Sequence, residues 1–230
     1  MLPNAELILP ARRAAGIVGW HLAYNTLNHA SLILKGAPEY SRTKKRIFLI
    51  RHARPVVPKK GYFNKAAASN YINDYDAAEV EQFVLEHEAI PYREVRQVYC
   101  STLVRSQLTA RQIFGEEVEL VVRHEFREFE RRIFSLPLLR LPIRLWLLSA
   151  RMLWMMGLNN RGIETFRQAK QRAREAASFL AEQAEQKPPV ILVGHGLLNN
   201  FIRWYLQDLG WKTAIHEGSG FLSVTMLEMD

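Results

Sequence analysis

Four short apolar runs in this chain each end in residues able to do chemistry. Phe48-Leu49-Ile50 runs into Arg51-His52-Ala53-Arg54-Pro55. Gln97–Cys100 is followed by Ser101 and, one helical turn on, Arg105. Val118–Val122 is followed by Arg123, His124 and an acidic stretch with Glu125, Glu128 and Glu130. Val190–Val193 is followed by Gly194-His195-Gly196. An imidazole can attack or carry a proton near neutral pH. The planar fork of a guanidinium holds two oxygens of one anion, and a carboxyl group shuttles protons. Two histidines, at least two arginines and a carboxylate, gathered at one place, make an oxyanion site with a nucleophile and an acid. Taken alone, an Arg-His pair after a strand is more often a solvated loop start. His195 is less easily set aside, because glycines on both sides let a ligand approach the backbone closely.

The gathering depends on the elements. Arg46–Ile50, Gln97–Cys100, Val118–Val122, Val190–Val193 and Phe221–Leu227 read as short strands, the first and the fourth of them buried. Asp76–His87, Leu103–Phe114 (stopped near Gly115), Glu164–Gln186 and Leu197–Leu209 (closed by Gly210) have helical spacing. Pro55 to Asn70 carries Pro, Gly and Asn punctuation and reads as a loop. Strands alternating with helices predict an α/β fold with a largely parallel sheet. In such sheets ligands sit beyond the carboxyl ends of the strands, where all four clusters fall.

The bulk numbers bound the function. With 230 residues, 48% of them hydrophobic, the chain can bury one large core. A formal net charge of +8 favours anionic partners without choosing among phosphorylated small molecules, nucleic acid and anionic membrane. The single cysteine, Cys100, excludes an internal disulfide and fits a reducing compartment; its own expected place is as a small buried residue. No H-E-x-x-H spacing surrounds His124 or His87, so no metal site is expected, and there is no G-x-G-x-x-G or P-loop.

Two apolar stretches stand out. Ala14–Leu34 has no charged residue and follows Arg12-Arg13, but its polar residues His21, Asn25, Asn28 and His29 share one helical face. It reads as an amphipathic helix, with a cleaved signal or a membrane span as the alternative, and a basic linker Ser41–Arg46 leads into the main domain. Ser135–Asn160 is the second, with Pro142 as a helix start and Gly157 as its end. Its helix, ~23 Å long at 1.5 Å per residue, is short of a bilayer span. Arg140, Arg144 and Arg151 fall on one face, and Trp146, Leu147, Leu153, Trp154 and Met155 cover much of the rest. Three readings compete: a cap packed on the domain, an interfacial helix on an anionic membrane, or a homodimer or partner surface.

The four clusters together resemble the histidine phosphatase superfamily, also called phosphoglycerate mutase-like. The family's opening appears as Leu49-Ile50-Arg51-His52-Ala53, and its next segment as Ser101-Thr102-Leu103-Val104-Arg105-Ser106-Gln107-Leu108-Thr109-Ala110. Phe126-Arg127-Glu128 and Val193-Gly194-His195-Gly196 supply the remaining two. The resemblance implies a three-layer α/β sandwich over about 45–230, with residues 1–44 as an N-terminal helix and linker and a helical insertion at about 133–160. It implies a phosphomonoester hydrolase without cofactor, acting on a phosphorylated small molecule and not on nucleic acid; the apolar insertion, as a wall beside the site, adds the expectation of a lipid-like substrate. His52 would become a phosphohistidine. Arg51, Arg105 and His195 would hold the phosphoryl oxygens, and Glu128 would be the acid, with Glu125 and Glu130 as rivals. The chain departs from the family after His52, where Pro55 and Pro58 stand in place of a small hydroxyl residue and an asparagine. Arg54 is the candidate replacement contact. That departure weakens the reading as a mutase and leaves a weak phosphoryl-ligand-binding protein as the other alternative. The expected location is cytoplasmic, with peripheral membrane contact as an option.

Overall fold

The computed structural model describes residues 44–230 except Lys59 and Pro137. The expected helix at 14–34 lies outside the described residues. Within them the chain forms β1 (Lys45–Arg51), β2 (Tyr62–Phe63), α1 (Lys65–Ala77), β3 (Gln97–Ser101), α2 (Val104–Phe114) and β4 (Glu119–Arg123). After a 3₁₀ turn at His124–Phe126 come β5 (Leu141–Pro142), α3 (Ile143–Met155), α4 (Phe166–Gln186), β6 (Val190–Gly194), α5 (Gly196–Asp208), β7 (Lys212–His216) and β8 (Val224–Met229).

Six strands make one sheet in the order β4-β3-β6-β1-β8-β7. The first four are parallel, and β8 runs antiparallel between β1 and β7. On one face, Ile47, Leu49 and Leu192 pack against a stripe of small residues on α4, among them Ala169, Ala173 and Ala177. Small side chains let that helix lie close to the sheet. The alternate residues Phe48, Ile50, Val98, Cys100 and Val193 are also fully buried. A strand buried at every position has both faces covered, which explains why these runs show no polar alternation. α4 starts on a capping box in which Thr165 and Gln168 satisfy each other's amides.

Three expected elements need correction. The region 55–70 is not a plain loop: it holds β2 and the start of α1, whose first turn is capped by the Asn64 side chain on the Ala67 amide. Helix spacing at Asp76–His87 also misleads, because α1 ends at Ala77. Beyond it, Glu79 and Glu81 exchange backbone hydrogen bonds with Val56 and Arg54, so that stretch is spent on an extended pairing instead of a helix. The last strand starts at Val224, which leaves Phe221 in a loop, and β7 is an additional edge strand.

The insertion is a cap packed on the domain. Leu141 and Pro142 pair with Phe63 and Tyr62. Ile143, Trp146 and Ala150 bury against Ala68 and Tyr71 of α1. Both tryptophans are inside, and their indole N–H groups donate to the carbonyls of Phe63 (Trp146, 2.7 Å) and Glu164 (Trp154, 2.7 Å). Arg151 does not extend a basic stripe. Its guanidinium turns inward and donates to the carbonyls of Phe129 (2.9 Å) and Glu130 (3.1 Å), and burial pulls its pKa down to about 10. No helix among the described residues is long and apolar enough to cross a membrane.

Candidate active site

Four adjacent parallel strands, β4, β3, β6 and β1, each release one candidate group at their carboxyl ends. Register sets the spacing. Arg51 faces Gly194 across the β1–β6 pair, and the His52 amide donates to the Gly194 carbonyl at 3.0 Å. His52 and His195 therefore leave neighbouring strands at the same level, with ring centroids 5.1 Å apart. Both are buried, as is Arg105 from the first turn of α2.

The hydrogen bonds fix the tautomer of His52. His52 Nδ1 lies 2.7 Å from the Ala53 carbonyl. A carbonyl oxygen only accepts, so Nδ1 carries the proton and Nε2 keeps a bare lone pair. That lone pair accepts from Arg105 Nε at 3.3 Å. The His52 pKa lies well below the usual value, first through burial and then through the charges of Arg105, Arg51 and Arg131. His195 is lowered as well, by burial and then by His52 and the same arginines. Both rings are thus neutral at pH 7.

His195 Nε2 meets Ser101 Oγ at 2.7 Å, and that hydroxyl already accepts from the Leu103 amide. With the serine proton given to Nε2, the neutral ring keeps its hydrogen on Nδ1. Among the described residues that buried Nδ1 has no hydrogen-bond partner, and neither has Arg51 Nε. The Arg51 guanidinium lies over the Phe221 ring, 4.2 Å from its centroid, and donates to the Ser219 carbonyl. It also lies so close to Gly196 that a Cβ there would sit 3.2 Å from the guanidinium carbon. A side chain at Gly196 would thus have to push the Arg51 guanidinium aside by a few tenths of an ångström.

Glu128 sits at the N-terminus of α5, its carboxylate accepting from the amides of Leu198 (3.2 Å), Leu197 (3.4 Å) and Phe129 (3.0 Å). It shares with Arg105 a cavity of about 160 Å³ that also touches Asn73, Asp76, Arg127, Glu130 and Arg131. The two rivals differ. Glu125 is paired with Arg123 at 2.7 Å and does not line this cavity. Glu130 does line it, while accepting from the Glu164 amide at 3.0 Å. Arg54 is not brought into the buried cluster. It is exposed at the rim, 3.9 Å from Glu81 and 5.7 Å from the Phe221 centroid.

Several neighbours were not picked out in the sequence. Asp76, at the end of α1, bridges Arg105 (3.0 Å) and Arg127 (3.5 Å). Tyr75 lies between the guanidinium groups of Arg105 and Arg131, at 4.8 and 5.4 Å. Phe221, from the loop before β8, stands 5.6 Å from His52. The Arg131-Arg132 pair directly after the acidic stretch was the one available signal.

No curated protein matches the chain. Among solved structures, a mycobacterial glucosyl-3-phosphoglycerate phosphatase is 18% identical with a TM-score of 0.49, over 80% of this chain and 90% of that one. An ecdysone phosphate phosphatase from Bombix mori, in complex with tungstate, is 13% identical with a TM-score of 0.45, over 79% and 88%. A phosphoserine phosphatase from Entamoeba histolytica is 15% identical with a TM-score of 0.41, over 79% and 89%. The family model of the histidine phosphatase superfamily, branch 1, matches residues 47–230, which covers every strand of the main sheet but the first residues of β1. The chain belongs to the histidine phosphatase superfamily.

Proposed function

We propose that the chain is a phosphomonoester hydrolase that works through a phosphohistidine on His52. One observation carries this reading: His52 Nδ1 is spent on the Ala53 carbonyl, so Nε2 is the unprotonated atom, and its lone pair is freed to attack when a phosphoryl oxygen takes the Arg105 Nε–H from it. Nε2 attacks phosphorus, the bond to the leaving oxygen breaks, and Glu128 as the acid delivers a proton to that oxygen. Water then attacks the phosphohistidine, Glu128 takes its proton, and phosphate leaves with Nε2 restored. Arg51, Arg105 and His195 Nδ1–H hold the equatorial oxygens, where charge spreads in the transition state.

The cavity beyond Arg105 receives the leaving group. Ile72, Leu103, Phe129 and Ile163 line it alongside Asn73, Arg127 and Arg131. That mixture supports a substrate with an apolar portion beside a polar or anionic one.

The test is a phosphatase screen over lipid phosphates, sugar phosphates, nucleotides and phosphoproteins, run with wild type and His52→Ala. Wild type should release phosphate and form an acid-labile phosphoenzyme. His52→Ala should lose on the order of 10³-fold or more in kcat and form none. Undiminished turnover by His52→Ala would sink the mechanism. Ligand retention with no phosphoenzyme would point to a binding protein, and phosphoryl return to a second position of the substrate would point to a mutase.

A further inference from the structure

An amphipathic helix normally buries one face and shows water a polar one. α3 departs from this. Its inner face is used up by Ile143, Trp146, Ala150 and Trp154. Its outer face is apolar too: Leu145, Leu148, Met152 and Met155 follow one another at spacings of three, four and three residues, and all are exposed. The same region adds Leu138, wholly exposed in the approach to the helix, and Leu158 just after it. Among the described residues, eight of the sixteen exposed large apolar side chains lie between Leu136 and Leu158. A concentration of this kind marks a surface that something covers.

Charge selects what covers it. From Arg131 to Ile163 the sequence holds six arginines and no aspartate or glutamate. Arg144, exposed, borders the apolar stripe on the helix, and Arg140, also exposed, lies three residues before the helix begins. A second copy of this chain, related by a two-fold axis, would set arginines against the same arginines with no acidic residue of the stretch between them. An anionic lipid surface meets both features at once. Leucine and methionine side chains enter the acyl boundary without needing a shaped partner, and the arginines meet headgroup phosphates. Thirteen residues of helix are too few to span a bilayer, so α3 would lie in the interfacial plane.

We infer that the outer face of α3, with Leu138 and its bordering arginines, docks the protein on anionic lipid surfaces. The tryptophans take no part, being buried in the domain. Arg151 joins α3 to the carbonyls of Phe129 and Glu130, two residues of the cavity wall. Docking therefore anchors at the lipid the helix to which that wall is bonded, a placement that suits a phosphomonoester carried by lipid. This last consequence rests on the hydrolase reading, whereas the docking itself does not.

Co-sedimentation of the full chain with vesicles tests it. Two lipid mixtures are used, phosphatidylcholine alone and roughly 3:1 phosphatidylcholine to phosphatidylserine. The triple variant Leu145→Gln/Leu148→Gln/Met152→Gln replaces exposed residues with good helix formers and leaves charge unchanged. The second variant is Arg140→Gln/Arg144→Gln. Wild type should pellet with the anionic vesicles at least about tenfold better than with neutral ones, since each arginine near an anionic surface is worth about fivefold. The triple variant should lose about tenfold or more, with its thermal midpoint unchanged as the check that it is folded. Absence of pelleting, or pelleting undiminished in the triple variant, overturns the inference. So does a concentration-dependent dimer, seen by sedimentation velocity, that the triple variant abolishes while vesicles bind neither protein. Release of phosphate from a soluble aryl phosphate, measured alongside, reports on the hydrolase reading separately.

Discussion

At the scale of single residues, the arrangement hangs on short contacts around two small positions, Ala53 and Gly196. Gly196 opens α5, where alanine would ordinarily gain up to about 1 kcal/mol in helix propensity. Here its methyl group would press on the Arg51 guanidinium, itself held by the Ser219 carbonyl and the Phe221 ring. Gly196→Ala is therefore expected to change the unfolding free energy by less than about 1 kcal/mol while lowering kcat/KM about tenfold. Urea unfolding and steady-state kinetics check the two halves, and equal kinetics would show that Arg51 yields freely. His52, His195, Arg51 and Arg105 were legible because each follows a strand or opens a helix within a recognisable local pattern. Asp76 and Tyr75 were not. Their relation to Arg105 is made by α1 crossing from elsewhere in the chain, and nothing in their local sequence announces it.

At the scale of elements, legibility tracked how much of the outcome is local. α4 could be read because its helical spacing is local, its alanine stripe facing the sheet, and its start is local too, capped by Thr165 and Gln168. Thr165→Ala removes the cap and should cost about 1 kcal/mol of stability, read as a lower urea midpoint at unchanged slope. A midpoint equal to wild type would mean that water satisfies the freed amides equally well. The stretch after Ala77 misled because its helical spacing competes with backbone pairing to residues 54–56, a tertiary choice. β7 escaped because only Thr213 and Ile215 of Lys212–His216 face inward, as suits an edge strand. Within the insertion, helix limits were legible, but the inward turn of Trp146, Trp154 and Arg151 depends on partners at Phe63, Glu164, Phe129 and Glu130.

At the scale of the whole molecule, two neutral buried histidines tie stability to pH. Folding lowers both pKa values below the value of about 6.5 expected in the unfolded chain. Between the folded and unfolded values the unfolded chain binds more protons, so stability rises with pH there. The loss begins as pH falls below about 6.5 and proceeds at up to about 1.4 kcal/mol per pH unit for each histidine. Unfolding free energies of wild type and of His52→Gln/His195→Gln, measured on both sides of that pH, should give a flatter profile for the double variant. Equal slopes would mean that both rings are already protonated in the native state. The sheet order adds a constraint in time. β1, the strand that delivers His52, has as its two neighbours β6 and β8, drawn from residues 190–229. Closing so long a loop comes before any reward from the pairing. During synthesis His52, the proposed nucleophile, thus waits, its strand unpaired and without the second histidine, while more than a hundred further residues are added, so the candidate site is not assembled on a nascent chain that stops short of Val190.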